Sequence, residues 1–238
     1  MKLEAVPATP ERWDDVVVAF GRRGNDPGWC WCQRLLEPPD VRSALNNREA
    51  LRIEIANAVV PPGLLAYVDG VPVGWSRVMP RAQVPGVQRN RALRRVLADD
   101  PGAWWVVCFA VDQRHRGVGV ATTLLGAAVD HARAHGATAV EGHPVDADVL
   151  EVSGSALFTG TMRTFLTQDF SRIGRTYPAA LSCGASSDRG SQRRPRAARR
   201  CRVPLKRRLG GATERRSSSF RSAACLGDVR RTADLCAW

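Results

Sequence analysis

Long apolar runs are missing from this chain. No stretch approaches the roughly 18–20 apolar residues that a membrane span needs, which excludes a helical membrane protein. The opening "MKLEAVPATPERWDDVV" has no apolar signal core, which points away from secretion and toward the cytoplasm. Lysine is nearly absent: Lys2 and Lys206 stand beside 33 arginines, a bias that suggests a GC-rich genome more than a charge design. Paired cysteines at framework spacings are lacking too. There are seven cysteines, four of them (Cys183, Cys201, Cys225 and Cys236) beyond residue 180, so reduced thiols are expected. Acidic residues are scarce only in one place. The chain carries a formal charge of +12, but 15 of its 35 Lys and Arg and only 4 of its 23 Asp and Glu fall in 181–238. The first 180 residues are therefore almost neutral, and the basic character belongs to the tail.

Residues 1–180 read as one mixed α/β domain. Thr9 with Pro10 opens a first amphipathic helix. "DVRSALNNREALRIEIANAV" reads as a second, capped by Asp40, with Leu45, Leu51, Ile55 and Val59 in its apolar stripe. "GLLAYVDGVPVGWSRVMPR" is a hairpin turning at Asp69-Gly70. "QRNRALRRVLADDPG" is a basic helical connection, and "AWWVVCFAV" a strand buried on both faces. The helix Gly119 to His135 buries Leu124, Leu125, Ala128, Val129 and Ala132 and ends at Gly136. "ATAVEGHPV" is a strand, "LFTGTMRTFLTQD" a helix, and the segment from Phe170 to Pro178 a last strand. Past residue 180 the periodicity stops. Arg, Ser, Gly and Ala dominate, and 181–238 is expected to be a disordered tail. Two readings of it stay open: a frame-shifted extension, or a basic arm for nucleic acid or membrane tethering, which lacks the aromatic interleaving that base stacking needs.

The chemistry concentrates at "AVDQRHRGVGVATTLL", where a strand runs through a charged bend into a glycine-spaced loop and a helix. A helix N-terminus offers unpaired N–H groups and positive dipole, and glycines let anion oxygens reach them. The nucleotide pattern G-x-x-x-x-G-K-[ST] is absent. The dinucleotide fingerprint fails because Thr122 stands at its last position and five residues separate the strand from Gly117.

"RGVGVA", Arg116 to Ala121, fits a third pattern, [QR]-x-x-G-x-[GA]. It resembles the signature of the GNAT superfamily of acyl-CoA-dependent N-acetyltransferases, with Val111 before it and Leu124-Leu125 after it in the matching places. The resemblance covers about residues 1–178. It implies a mixed, mostly antiparallel central sheet flanked by helices, with acetyl-CoA as co-substrate and no metal. It further implies that Arg116, Gly117, Val118, Gly119, Val120 and Ala121 cradle the pyrophosphate, and that Phe109, Ala110 and Val111 pair with the pantetheine arm. The acceptor is then a primary amine of a small molecule or peptide, attacked directly in a ternary complex, and a homodimer is compatible with the family.

The chain departs from that family at its general acid. Where many members carry Y-x-x-x-G-F, this sequence has "FLTQDF", so Phe165 replaces the tyrosine and Asp169 the glycine. For the base, Glu141 and His143 lie on the strand expected beside the acetyl group, and alternation puts both on one face. Asp146 and Thr161 are further candidates. In "GWCWCQ", Trp29 and Trp31 either offer flat apolar surface to an acceptor or form an aromatic lid packed onto the core. Cys30-x-Cys32 is half of a metal pattern, which only Cys108 and His143 could complete through tertiary contact. A catalytically silent acyl-CoA-binding module is the second functional reading.

Overall fold

The computed structural model describes residues 1–33, 35–36, 46–146, 154–174, 176 and 204–209. Its framework is a sheet of seven strands in the order β1-β2-β3-β4-β5-β7-β6. These are β1 (Leu3–Pro7), β2 (Gly63–Val68), β3 (Val71–Pro80), β4 (Ala103–Val111), β5 (Ala139–Gly142), β6 (Ser171–Arg172) and β7 (Leu205–Arg208). Neighbours are antiparallel except β4 and β5, which run parallel. The mixed, mostly antiparallel architecture expected from the sequence is the one observed.

Period-2 alternation sorts the strand side chains into two cores. On one face, Leu64, Ala66, Val73, Val106 and Val140 meet Leu124, Leu125, Ala128, Val129 and Ala132 of helix α5 (Val120–Ala134). Gly74 permits this approach, because a Cβ there would lie 2.8 Å from Val120 Cγ1. On the other face, Leu65, Trp75 and Trp105 pack with Val16 and Ala19 of α1 (Trp13–Ala19) and Leu51 and Ile55 of α2 (Asn47–Asn57). Arg77, fully buried on β3, crosses this second core to a bidentate pair with Glu54 of α2, at 2.6 and 2.7 Å.

Several boundaries differ from the sequence reading, each for a local reason. Helix α2 is capped by Asn46, whose side chain accepts from the Glu49 amide, and Val59 lies past its end, 98% exposed. Asp40 and Leu45 fall outside the described residues. The basic connection is two short helices, α3 (Pro85–Gln88) and α4 (Arg91–Arg94), separated because Asn90 caps the second. Only Met162–Leu166 is α-helical (α6) in the segment read as one helix. Gly160 breaks it at φ 83°, and Thr161 restarts it by capping Thr164. Of the strand expected over 170–178, the described residues show β6.

The tail needs a correction. Residues 204–209 are part of the fold, because β7 lies between β5 and β6 and pairs with both. Leu205 is buried in the α5-side core, and Lys206 Nζ reaches Asp100 (3.0 Å) and Glu141 (3.1 Å). One apolar side chain and one cation with waiting carboxylates compensate the ordering of an otherwise polar strand. The remainder of 181–238 lies outside the described residues.

Candidate active site

A bulge shapes the middle of the sheet. Arg77 pairs with Cys108 and Val78 with Val106, so Val107 is an extra residue on β4. Bulges bend the strand that carries them. At the same level the pairing of β4 with β5 stops, at Val106 opposite Gly142. The continuation of β4 through Phe109, Ala110 and Val111 thus has an edge turned away from β3 that β5 does not fill. The 3-10 segment Gly154–Thr159 packs against β4. In that region Thr159 Oγ1 is buried with no hydrogen-bond partner among the described residues.

Beyond Val111 the chain turns through a 3-10 bend, Gln113–His115. Asp112 holds the bend by accepting from the Arg114 amide (2.9 Å) and its guanidinium (2.9 Å). These bonds, the side-chain one foremost, pull the Asp112 carboxyl down to about 2. Gly119 then caps α5 at φ 94°, with no side chain closing the first turn. Gly117 sits at φ 79°. Only glycine adopts these angles without strain, and both leave the cradle open. A Cβ at Gly117 would meet nothing within 4 Å, and one at Gly119 only Leu3 Cδ2, at 3.8 Å. Arg116, Gly117, Val118 and Gly119 are exposed, while Val120 is buried and Ala121 half-buried. A 15-residue helix therefore presents an open N-terminus at the end of a strand whose far edge, at Phe109–Val111, no strand pairs among the described residues. The shape suits an extended ligand with an anionic group.

The other sequence-predicted residues are placed as follows. Glu141 is fully buried on β5, opposite Trp105. Its carboxylate pairs with Arg81 (2.7 Å) and Lys206 (3.1 Å). His143, just past β5, is buried with Nε2 2.9 Å from Thr176 Oγ1. Thr161 is occupied as the cap of α6. Trp29 is 38% exposed, whereas Trp31 is fully buried, so its ring has no surface left for a ligand in this conformation. It packs on Phe20 (centroids 4.5 Å apart) and Trp13 (6.0 Å) and donates from Nε1 to the Asp26 carbonyl. Phe165 is wholly buried, edge-on to Phe109 and Phe170.

Two features escaped the sequence reading. Cys32 and Cys108 are joined by a disulfide, with Cα atoms 6.5 Å apart, against the expectation of reduced thiols. Their separation of 76 residues gives no local signal. The ion cluster around Glu141 was hidden for the same reason, since Arg81, Asp100 and Lys206 meet only through the sheet. No group of three or more His, Cys, Asp or Glu among the described residues is arranged to hold a metal.

A family model described as "Acetyltransferase (GNAT) family" matches residues 30–148, half the chain, a span that includes β4, the glycine bend and α5. The chain belongs to the GNAT acetyltransferase family. Among curated proteins none matches it. Solved structures similar to this GNAT domain include a GCN5-related N-acetyltransferase from Kribbella flavida (17% identity, TM-score 0.49, covering 87% of this chain and 98% of that one). A ribosomal-protein-alanine N-acetyltransferase from Brucella melitensis is similar at 15% identity and TM-score 0.46, covering 86% and 99%. The yncA protein of Salmonella typhimurium, solved with its cofactor acetyl-CoA, is similar at 13% identity and TM-score 0.47, covering 87% and 94%. Among the described residues no helix is long and apolar enough to cross a membrane.

Proposed function

We propose that this GNAT domain transfers an acetyl group from acetyl-CoA to a primary amine of a small molecule or peptide in the cytoplasm. The amine attacks directly within a ternary complex. The observation that carries the reading is the joint geometry of the glycine-opened N-terminus of α5 and the unfilled edge of β4. Residues 116–121 would hold the pyrophosphate through backbone N–H groups and the Arg116 charge. Phe109, Ala110 and Val111 would receive the pantetheine amides as a strand does. The orphan Thr159 hydroxyl beside β4 is a further polar group available to that arm. Acetyl-CoA supplies an activated thioester; the protein has to orient it, exclude water and manage one proton.

His143 is the residue we assign to that proton, since an imidazole can accept the proton that the acceptor ammonium has to lose before its free amine attacks. Thr176, on Nε2, fixes the ring. Glu141, the second candidate, has both cations of its cluster on its carboxylate. A proton-transfer role for it requires Arg81 or Lys206 to give way. Trp29 faces the acceptor in this reading, and Trp31 backs its loop from within the core.

One observation favours the catalytically silent acyl-CoA-binding reading: Phe165 stands where a tyrosine acid is common in the family, and it cannot donate a proton. Initial velocities against an amine panel separate the two. The enzyme reading predicts acetyl-CoA-dependent product and intersecting double-reciprocal lines. It also predicts that His143→Ala lowers kcat by about 10²-fold or more while acetyl-CoA binding persists. Acetyl-CoA binding without turnover on any amine class would favour the silent module.

A further inference from the structure

The chain carries a group of three neighbouring cysteines that the acetyl-transfer reading does not use. Cys32, in the loop from Asp26 to Gln33, is bonded to Cys108 on β4, one residue before the free edge and one after the bulge. The loop is held there in an unfavourable shape. Trp31 (φ 38°) and Cys32 (φ 57°) are consecutive non-glycine residues in the left-handed region, a conformation that persists only where the surroundings over-determine it. Trp31 is buried, and Trp75 Nε1 donates to Cys32 Sγ at 3.1 Å. The bonded cysteines are 4% and 3% exposed, so a reagent in solution does not reach them. Cys30 is a free thiol, partly exposed, two residues from Cys32.

We propose that Cys30, Cys32 and Cys108 form a thiol–disulfide exchange site, with low-molecular-weight disulfides as its oxidising substrate, that latches the Asp26–Gln33 loop onto β4. In the reduced chain, the Cys30 thiolate attacks the external disulfide, forming a mixed disulfide and releasing one thiol. Cys32 attacks the Cys30 sulfur and releases the second. Cys108 then attacks the Cys32 sulfur, leaving the Cys32–Cys108 bond and returning Cys30 as a thiol. Two protein thiols are oxidised, one external disulfide is reduced to two thiols, and the protons leave on those thiols. An external dithiol runs the sequence backwards. In a reducing compartment such bonds are typically transient and redox-sensing rather than structural. The latch joins the loop bearing Trp29 to the strand bearing Phe109–Val111. Its effect on acceptor access rests on the acetyl-transfer reading; the exchange site itself does not.

The test uses the full chain, reduced with dithiothreitol, desalted and then exposed to oxidised glutathione. The expected product has Cys32 linked to Cys108 in the peptide map and Cys30 free. Cys30→Ser should reach the same product at least about tenfold more slowly, because the relay loses its accessible thiol. Chymotrypsin should cut after Trp29 or Trp31 at least about tenfold faster in the reduced chain than in the oxidised one, as a released loop opens locally. Three results would overturn the proposal: a glutathione adduct at Cys30 as the final species, oxidation of Cys30→Ser at the parental rate, or a reduced chain that holds one equivalent of zinc with all three thiols protected from alkylation. None of these readouts involves acetyl-CoA, so failure here leaves the acetyl-transfer reading standing, and the converse holds.

Discussion

Replacing Lys206 by methionine tests whether β7 is a working strand of the domain. The substitution keeps the length and apolar stem of the side chain and removes only the charge. In the native cluster two cations, Arg81 and Lys206, face two carboxylates, Glu141 and Asp100. Removing Lys206 leaves a net negative charge where Glu141 is fully buried. Taking one partner from a buried pair costs about 3–5 kcal/mol. Glu141 keeps Arg81 at 2.7 Å, and Asp100 keeps the Thr138 hydroxyl at 2.7 Å, so the low end, about 3 kcal/mol, applies. For a domain of this size that corresponds to a fall of about 6–12 °C in melting temperature. Differential scanning calorimetry on the full chain reads it directly. Glu141→Gln in the same background should cost no more than Lys206→Met alone, since the uncompensated charge is then gone. A melting temperature within about 2 °C of the parent for Lys206→Met would refute the reasoning, because β7 would then not be seated against Glu141 in solution.

Other expectations follow from the same contacts. Gly119→Ala forces a Cβ into the left-handed region at the cap of α5 and should cost about 1–2 kcal/mol by denaturant titration, with a lowered midpoint and unchanged slope. Gly142→Ala drives a methyl into the Phe165 ring; overpacking of that kind costs about 1–3 kcal/mol, measurable by the same titration. His131, against Trp104 and 4.5 Å from the ring of His135, has its pKa pushed below the usual 6.5, first by burial and then by the neighbouring histidine. The unfolded chain then binds the proton more readily, so stability should fall as pH drops through 6.5 and level off below the folded pKa. Urea midpoints at neutral and mildly acid pH would show the slope, and His131→Leu should flatten it.

The parts of the fold that were legible in the sequence are those whose signal is local. Helix α5 announces itself by an apolar stripe at helical spacing between two glycines, and the β2–β3 hairpin by two apolar runs around Asp69-Gly70. The glycine cradle was readable because its requirement, positive φ at Gly117 and Gly119, is written in residue type. Strand β7 was not. "LKRR" has one apolar residue, and what orders it is a pair of carboxylates about a hundred residues away in the chain or nearer sixty. The same holds for Cys32 and Cys108 and for the Arg81–Glu141 pair, where tertiary contact alone joins the partners. Trp31 was open to both readings because an aromatic in a Cys-rich loop serves acceptor surface or core equally well, and the structure buries it against Phe20 and Trp13. Glu141 lies on β5 and His143 just past its end, and periodicity cannot tell a carboxylate awaiting substrate from one already neutralised by cations.

The central claim is that the open end of α5 and the free edge of β4 bind acetyl-CoA. Isothermal titration of acetyl-CoA into the full chain, with Gly119→Glu as the control, tests it most directly. The account predicts saturable binding at one site per chain by the parent, and loss of that binding when a carboxylate occupies the phosphate seat. Equal binding by parent and Gly119→Glu would contradict the placement of the site, and no binding by the parent would contradict the acetyl-transfer reading as a whole.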